Sequence, residues 1–579
     1  MMKSWLKKIG GVQFSILLVT FVSLVFVIAP MIQESEQYTV ITSDGKGYYA
    51  YLPAVFLHNS IGDQTPDGRF ILDINGKGVN KYYAGTAVSI LPFFGLATLL
   101  DKEQNGYSLS YQISVSIAGV FYLILGLLYL ARLLSLFRFS EVAISLTILT
   151  LFFGTNLFVY GVFEPSMSHI YSFFWITGFL FFTKKHLLTG RSELLYFSAL
   201  FLGFLVLVRP INGLIILVIP FLAGSPIVLK KYFHSSVFSR KGLISFLIFF
   251  GIIAVQPIVW YLQSGNWWLW SYSEEGFNFT APSWFQFLFS FRKGALVYTP
   301  LLIVTVISAI LWWKRNKFQS ATILFFFGTL VYVLSSWWNW YYGPSFGQRP
   351  LVDFYGLSGI LLAYFIHHFS GFKQRFYSAS FVLICLVLNL VQTYQFRSGI
   401  LSSWDMNLEK YRAIFLKVDD KWRQSLGGNF DIFLYDSKID TVDRATLLPS
   451  VGKKGSTAFD YTEKEFGIEV TFNVDSSYFS KRGLFLLVDL QLNSRKQSTK
   501  NKALFVVDIM DSAGNNYHYY TFPIRAIPPT NLVGWKQETY QIELPNVHHV
   551  GDKIKLYIWN KERESFLVKE LKFKLLTIN

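Results

Sequence analysis

The sequence predicts a polytopic α-helical membrane protein that ends in an extracytoplasmic β-sandwich. Three observations predict this fold class. Of 579 residues, 52% are hydrophobic and only 15% are charged, whereas soluble proteins carry about 25% charge. Apolar runs long enough to cross a hydrocarbon core of roughly 30 Å recur through the first two thirds of the chain. Beyond them, apolar and polar residues alternate with the period of two that is typical of strands.

Apolar runs that could cross a membrane give about 11 candidate spans. They lie near 13–31, 111–131, 141–161, 168–183, 193–208, 211–223, 242–262, 295–313, 320–336, 351–369 and 377–395. Lysine and arginine are enriched in cytoplasmic loops, so their positions give the orientation. The connections 1–12, 132–140, 184–192, 229–241, 314–319 and 370–376 hold 17 of these cations and no acid. We therefore expect a cytoplasmic N-terminus, and the net charge of +16 reflects topology rather than nucleic-acid binding.

A further apolar stretch, Ala84–Leu100, is expected to lie at the outer interface without crossing. The first run ends on the outer side, whereas Arg132 and Arg138 are expected in the cytoplasm. The chain between these two points can therefore cross the membrane only once, and the run 111–131 is that crossing. The first outer loop then covers 31–110. The sequence thus predicts a transmembrane domain over 1–399.

The C-terminal part of the chain changes character after the last apolar run. Residues 400–429 are rich in charge and tryptophan and predict a helical connector. Residues 430–579 contain seven alternating segments, separated by turn sequences such as SAGNN and PNVHHVGD. This pattern predicts a β-sandwich with its own core. An odd number of crossings from a cytoplasmic start puts this domain outside the membrane.

Polar residues that interrupt the apolar part gather on the outer side. The first group, TSDGKGYYAYLP, contains Asp44 ahead of Tyr48 and Tyr49. A carboxylate at the lip of a membrane cavity can take a proton from an attacking hydroxyl. An aspartate before a helix can equally cap the free N–H groups of its first turn. The residues alone leave both interpretations open.

A second group, GVFEPSMSHIYSFF, contains Glu164 and His169 where the third and fourth runs meet outside. Ionisable residues beside spans are costly and usually functional. Two candidate ligands are a weak metal signal, and a loop held by hydrogen bonds is the alternative. In LVRPINGL, Arg209 either binds an anionic group or extends its charged end toward the interface.

Three further cations lie on the predicted outer side. Lys81 is in GVNKYYAGTA, Arg292 follows the carboxylates Glu274 and Glu275, and Arg349 ends a stretch rich in aromatic residues and glycine. An aromatic belt explains the tryptophans but not the glycines or the arginine. Arginine suits phosphate through paired hydrogen bonds. Carboxylates and cations around one cavity suit a lipid-linked phosphate donor and an outside acceptor, although transporters carry such charges too.

Seven stretches carry a resemblance to a known family. They are SDGKGYYAYLP, NKYYAGTAVSILPFF, GYSLSYQ, FEPSMSHIYSFF, LVRPINGL, FSFRKGALVYTP and SSWWNWYYGPSFGQRPLVDFYG. In this order they resemble segments of GT-C glycosyltransferases, the superfamily of protein O-mannosyltransferases and lipid A aminoarabinose transferase, and of bacterial membrane proteins classed with them. The resemblance covers roughly 1–400. It implies a hexosyl- or pentosyltransferase of the bacterial inner membrane, with a polyprenyl-phosphate sugar as donor and a glycan, lipid or protein as acceptor.

The resemblance also implies roles for individual residues. Asp44 takes the position of the first-loop catalytic acid, and Lys81 that of a donor-phosphate contact. Further phosphate contacts are Arg292 and Arg349, and the substrate pocket would include Glu164, His169, Arg209, Tyr48 and Tyr49. The loop has one aspartate rather than the paired acids common in protein mannosyltransferases. This departure leaves the acceptor and a divalent metal cofactor, Mg or Mn, open.

Two other classes of function remain as alternatives. One is a transporter or flippase of lipid-linked or glycan cargo, which would show related halves and broken helices at the midplane. The sequence has no such internal symmetry. The other is an envelope glycan polymerase or ligase, whose key outer loop would usually come late in the chain, whereas the most site-like loop here comes first.

Overall fold

The structure is a computed structural model of the chain. It describes residues 10–33, 38–61, 70–74, 77–101, 103–272, 275–368, 371–403, 406–419, 422, 442–447, 459–474, 484–494, 503–514, 516–523, 536–543, 550–561, 563 and 565–578. The chain divides into two compact units, Met1–Thr393 and Tyr394–Asn579.

Most of the described chain is helical. The helices are α1 Gly11–Gln33, α2 Asp44–Tyr49, α3 Tyr51–Phe56, α4 Gly85–Leu100, α5 Leu109–Leu136, α6 Glu141–Phe153, α7 His169–Thr189, α8 Ser192–Val208, α9 Ile219–Ala223, α10 Pro226–Tyr232, α11 Arg240–Ile253, α12 Val255–Ser264, α13 Trp284–Phe289, α14 Ala295–Tyr298, α15 Leu302–Leu311, α16 Lys317–Ser335, α17 Tyr355–His368, α18 Phe372–Arg397 and α19 Leu408–Ile414. Short 3-10 or π segments are Val159–Phe163, Pro210–Val218, Phe233–Val237, Trp312–Lys314 and Arg349–Phe354. A hairpin pairs β1 Ile71–Ile74 with β2 Lys77–Asn80.

Within the described ranges, six helical segments are long and apolar enough to cross a membrane. They are Gly11–Ile32, Leu109–Leu136, Arg240–Ser264, Lys317–Ser335, Arg349–His368 and Phe372–Arg397. These segments support an integral membrane protein, as the composition predicts. The count of about 11 crossings and the orientation stay predictions. Helix α4 covers the stretch expected not to cross and has 16 residues, which is about 24 Å of helix.

Helix α7 is the centre of the helical unit. Most of its side chains are buried, and it packs against α5, α8 and the turn Arg349–Phe354. The buried residues around it form one large hydrophobic core. His169 is the first residue of this helix. The packing therefore brings the turn at Arg349 to the N-terminal end of the central helix.

The second unit contains two antiparallel sheets. The strands are β3 Val442–Leu447, β4 Phe459–Asp460, β5 Phe466–Asn473, β6 Leu484–Ser494, β7 Leu504–Met510, β8 Asn516–Pro523, β9 Lys536–Glu543, β10 Lys553–Trp559 and β11 Phe566–Ile578. One sheet has the order β5-β10-β7-β8, and the other has β3-β11-β6-β9 with β4 on β11. Alternate residues of β10 are buried, which matches the predicted period of two. The seven predicted segments coincide with β5 to β11.

Candidate functional site

Asp44 and Arg349 form an ion pair between the start of α2 and the turn Arg349–Phe354. Oδ2 of Asp44 accepts a hydrogen bond from Nη2 of Arg349. The two side chains are 22% and 11% exposed, so the pair is mostly sheltered from solvent. Asp44 is the first residue of α2, and the N-cap position belongs to Ser43, whose side chain makes no capping bond. The carboxylate therefore faces Arg349 and does not occupy the N-cap.

Two glycines explain the sequence DGKGYY at this position. A Cβ on Gly45 would lie 2.0 Å from Oγ of Ser166, and one on Gly47 would lie 2.4 Å from Cδ2 of Tyr82. Both distances are too short for any side chain. Helix α2 can therefore pack closely against both segments only with glycine at these positions, and this packing fixes the place of the Asp44 carboxylate.

The surroundings of Asp44 keep its carboxyl group ionised. Burial by itself would raise its pKa. The charge and hydrogen bond of Arg349 act in the opposite direction, helped by a hydrogen bond from Tyr82 and the charge of Lys81, and the pKa falls below the usual value of 3.8. Asp44 is consequently a hydrogen-bond acceptor at neutral pH.

Asp353 is the centre of a second charged group. Its Oδ1 lies 2.7 Å from Nδ1 of His169, and its Oδ2 accepts a hydrogen bond of 2.7 Å from Nη1 of Arg209. The Asp353 side chain has no exposed surface, and that of His169 is 4% exposed. Asp353 and Arg349 belong to the same turn. One short segment thus contributes one residue to each of the two charged groups.

Sequence reasoning missed Asp353, because it lies inside the apolar run 351–369. An acid within such a run is itself a signal, since ionisable groups in spans are rare and usually functional. Its partner Arg209 follows α8, and the backbone there is closely packed: a Cβ on Gly85 would lie 2.3 Å from the nitrogen of Val208. This contact brings the start of α4 against the end of α8.

Lys81 forms a third ion pair, with Oε1 of Glu275. Its Nζ also lies 5.3 Å from the ring centroid of Tyr272 and 5.9 Å from that of Tyr82. The hydroxyl of Ser271 donates a 2.8 Å hydrogen bond to the Lys81 carbonyl oxygen. Ser271, Tyr272 and Glu275 therefore all contact Lys81. Glu274, the other predicted acid of this loop, lies outside the described residues.

The two predicted tyrosines have different surroundings. Tyr48 packs on Tyr82 with ring centroids 4.3 Å apart; burial raises its pKa, and the charges of Arg209 and Asp44 also act on it. The Tyr49 hydroxyl instead donates a 2.7 Å hydrogen bond to the carbonyl oxygen of Gly106. Tyr48 is thus influenced by charges of both of the first two groups, whereas the Tyr49 hydroxyl bonds to the backbone of the first predicted outer loop.

The two remaining predicted residues make contacts of their own, and no contact joins Arg292 to the charged groups among the described residues. The guanidinium carbon of Arg292 lies 3.5 Å from the ring centroid of Tyr341. Glu164 occupies the turn before α7, where its carbonyl oxygen accepts from the Met167 amide, and its charge acts on Tyr160. Within the ranges that the structure describes, no three His, Cys, Asp or Glu side chains converge as metal ligands.

An apolar cavity of about 550 Å³ borders the segment Arg349–Phe354 at residues other than Arg349 and Asp353. Leu351 and Phe354 of the turn form part of its wall. The rest comes mainly from α13, α15, α16 and the first residues of α17. Trp284, Phe289 and Val306, which also line it, are exposed. The cavity therefore opens at a surface where apolar side chains are exposed.

Comparisons with known proteins find similarity only among solved structures. No family model matches the chain, and no curated protein matches it significantly. The apo crystal structure of the Archaeoglobus fulgidus oligosaccharyltransferase is 12% identical with a TM-score of 0.41, over 72% of this chain and 59% of that chain. A second structure of the Archaeoglobus fulgidus oligosaccharyltransferase is a complex with Zn and sulfate. Arabinosyltransferase EmbB from Mycobacterium smegmatis is 11% identical with a TM-score of 0.33, over 97% of this chain and 64% of that chain.

The chain therefore spans less than two thirds of either protein's length. By their names, the first is an oligosaccharyltransferase and the second an arabinosyltransferase. Because the TM-scores are below 0.5, the roles of individual residues in this chain follow only from its own geometry.

Proposed function

We propose that this chain transfers a sugar from a polyprenyl-phosphate donor to a hydroxyl of a glycan, lipid or protein acceptor, on the extracytoplasmic face of a bacterial inner membrane. One observation carries the proposal. The short 3-10 helix Arg349–Phe354 bears two charged side chains that meet Asp44, His169 and Arg209, and two other, apolar side chains, Leu351 and Phe354, that line a cavity. A lipid-linked phosphate has this division of charged and apolar parts.

The donor would bind across this turn. Its polyprenyl chain would enter the apolar cavity, where each buried CH₂ contributes about 0.8 kcal/mol. Its phosphate would lie near Arg349, whose Nη1 makes one hydrogen bond among the described residues, to the Met167 sulfur at 3.7 Å. Lys81 would be a second cation, since an ammonium group has three donors and Glu275 takes one. Arg292 is the third proposed phosphate contact.

The acceptor would be activated by Asp44. Its ionised carboxylate accepts the proton of the acceptor hydroxyl as the oxygen forms a bond to the anomeric carbon. The bond from that carbon to the phosphate oxygen breaks, and its electron pair leaves with the phosphate. The cations stabilise the charge that develops on the leaving phosphate. Attack on the face opposite the phosphate inverts the anomeric configuration.

The test uses a strain that lacks the protein and is complemented with the original chain, Asp44→Asn or the matched control Asp101→Asn. Asp101 is an outer-loop acid at the end of α4 that accepts from the Gln104 amide at 2.8 Å. Mass spectrometry would compare envelope glycans and polyprenyl-phosphate sugars. We expect the deletion and Asp44→Asn to lose one sugar and Asp101→Asn to retain it. Full glycans with Asp44→Asn at normal protein level would refute the role of Asp44.

A further inference from the structure

The two oxygens of Asp353 are assigned to two different partners. Oδ1 lies 2.7 Å from Nδ1 of His169, and Oδ2 lies 2.7 Å from Nη1 of Arg209. An ionised carboxylate only accepts hydrogen bonds and a guanidinium only donates them. The arginine is therefore a donor to one oxygen. Nδ1 of His169 lies 2.7 Å from the other oxygen and 3.4 Å from Nη1 of Arg209, and the shorter contact, between a ring nitrogen and an acceptor, requires the proton on Nδ1.

The remaining imidazole nitrogen is consequently an acceptor. A doubly protonated ring would place a second positive charge against Asp353, whose single negative charge Arg209 already balances in a site with almost no exposed surface. The neutral ring with its proton on Nδ1 leaves a lone pair on Nε2. Nε2 of His169 makes no hydrogen bond with any residue in the described part of the chain.

We propose that Asp353 is a positioning residue that holds His169 in the Nδ1–H form, so that Nε2 accepts a hydrogen bond from a hydroxyl group of the sugar substrate. The identity of that ligand rests on the proposed function, whereas the tautomer does not. The arrangement selects a neutral hydroxyl or another donor at this point of the site and disfavours a group that can only accept.

Asp353→Asn is the decisive variant, because the new side chain has nearly the same shape as aspartate but replaces one acceptor oxygen with an NH₂ donor. It should therefore change which nitrogen of His169 carries the proton. Arg209 can only donate, so it must take the single amide oxygen of the new side chain. The NH₂ group then faces Nδ1 of His169 and makes that nitrogen an acceptor. The ring proton moves to Nε2, which turns from an acceptor into a donor.

The first measurement is the ¹⁵N NMR spectrum of the full chain labelled at histidine in nanodiscs. The chain has 9 histidines, and His169→Asn identifies the signals of this one. For His169 we expect a protonated Nδ1 and an unprotonated Nε2 in the original chain, and the reverse in Asp353→Asn. A protonated Nε2 in the original chain would overturn the assignment, and so would an unchanged tautomer in the variant.

The second measurement is sugar transfer in the complemented strain. His169→Asn keeps an N–H group near the position of Nδ1 and removes Nε2, so it is the control for the bond to Asp353. We expect both variants to lower the transferred sugar at least tenfold at normal protein level and thermal stability. Normal transfer with His169→Asn would overturn the substrate contact. If the deletion strain loses no sugar, the proposed function fails and the spectra still decide the tautomer.

Discussion

The ion pair between Asp44 and Arg349 gives a prediction that can be measured as a coupling free energy. We consider Asp44→Asn, Arg349→Gln and the double variant. Unit charges at about 4 Å interact by about 4 kcal/mol at an effective dielectric constant near 20. The side chains are 22% and 11% exposed, so solvent screening reduces the coupling to about 2 kcal/mol.

Each single variant leaves the other charge without its partner in a mostly sheltered place, which costs about 3 kcal/mol. The double variant removes both charges and should therefore cost about 4 kcal/mol rather than the sum of about 6 kcal/mol. The assay is reversible unfolding in mixed micelles followed by tryptophan fluorescence. Unfolding free energies of the three variants and the original chain complete the cycle.

The control cycle combines Asp44→Asn with Lys184→Gln. Lys184 lies near the far end of α7, where its Nζ donates to the Leu222 carbonyl oxygen at 2.8 Å. The free energies of this pair should add within about 0.5 kcal/mol. A coupling below about 0.5 kcal/mol for Asp44 and Arg349 would refute the reasoning, because the contact would then be too weak to hold the carboxylate in place.

Three further predictions concern packing, lipid binding and pH. Gly45→Ala should lower the free energy of unfolding by about 1–3 kcal/mol, because its Cβ would lie 2.0 Å from Ser166 Oγ. Gly328→Leu should raise the KM for a polyprenyl-phosphate donor about tenfold, because its side chain would fill the apolar cavity and displace about two CH₂ groups. Because folding lowers the pKa of Asp44, the stability that its carboxylate adds should be complete above the usual pKa of 3.8 and should be lost as the pH falls below that value. The free energy of unfolding of the original chain and of Asp44→Asn, measured between about pH 2 and 7, tests this dependence.

Each of these predictions has its own control. Ser166→Gly should partly restore the stability of Gly45→Ala, whereas Gly95→Ala should cost nothing, because a Cβ there meets no atom within 4 Å. Gly251→Leu adds the same side chain to a different apolar helix and should leave the KM unchanged. A stability difference between the original chain and Asp44→Asn that persists unchanged at about pH 2 would contradict the lowered pKa.

The architecture could be predicted well because hydropathy and the period with which apolar and polar residues alternate are local properties of a sequence. The helical apolar part and seven of the nine described strands of the second unit follow from patterns within about 20 residues. The number of crossings depends instead on segments of intermediate length. Helix α4, with 16 apolar residues, can lie along an interface or tilt through it, and composition alone does not choose.

The charged site could be predicted only in part. Asp44 and Arg349 were identified because each interrupts a stretch of glycine and aromatic residues on the predicted outer side. That they pair could not be seen, since 305 positions separate them. Glu275 and Asp353 were not recognised as partners for the same reason, at 194 positions from Lys81 and 144 from Arg209. Such contacts depend on tertiary packing, which no local pattern encodes.

The six-residue turn Arg349–Phe354 has a consequence for how selectivity can be altered. The residues of α15 and α16 that line the cavity are distinct from those that form the ion pairs with Arg349 and Asp353. Under the proposed function, a larger residue at Ala309 or Gly328 would shorten the preferred isoprenoid chain and leave the charged cluster intact. Preference for the lipid carrier and preference for the sugar can therefore diverge independently, by mutation of separate sets of residues.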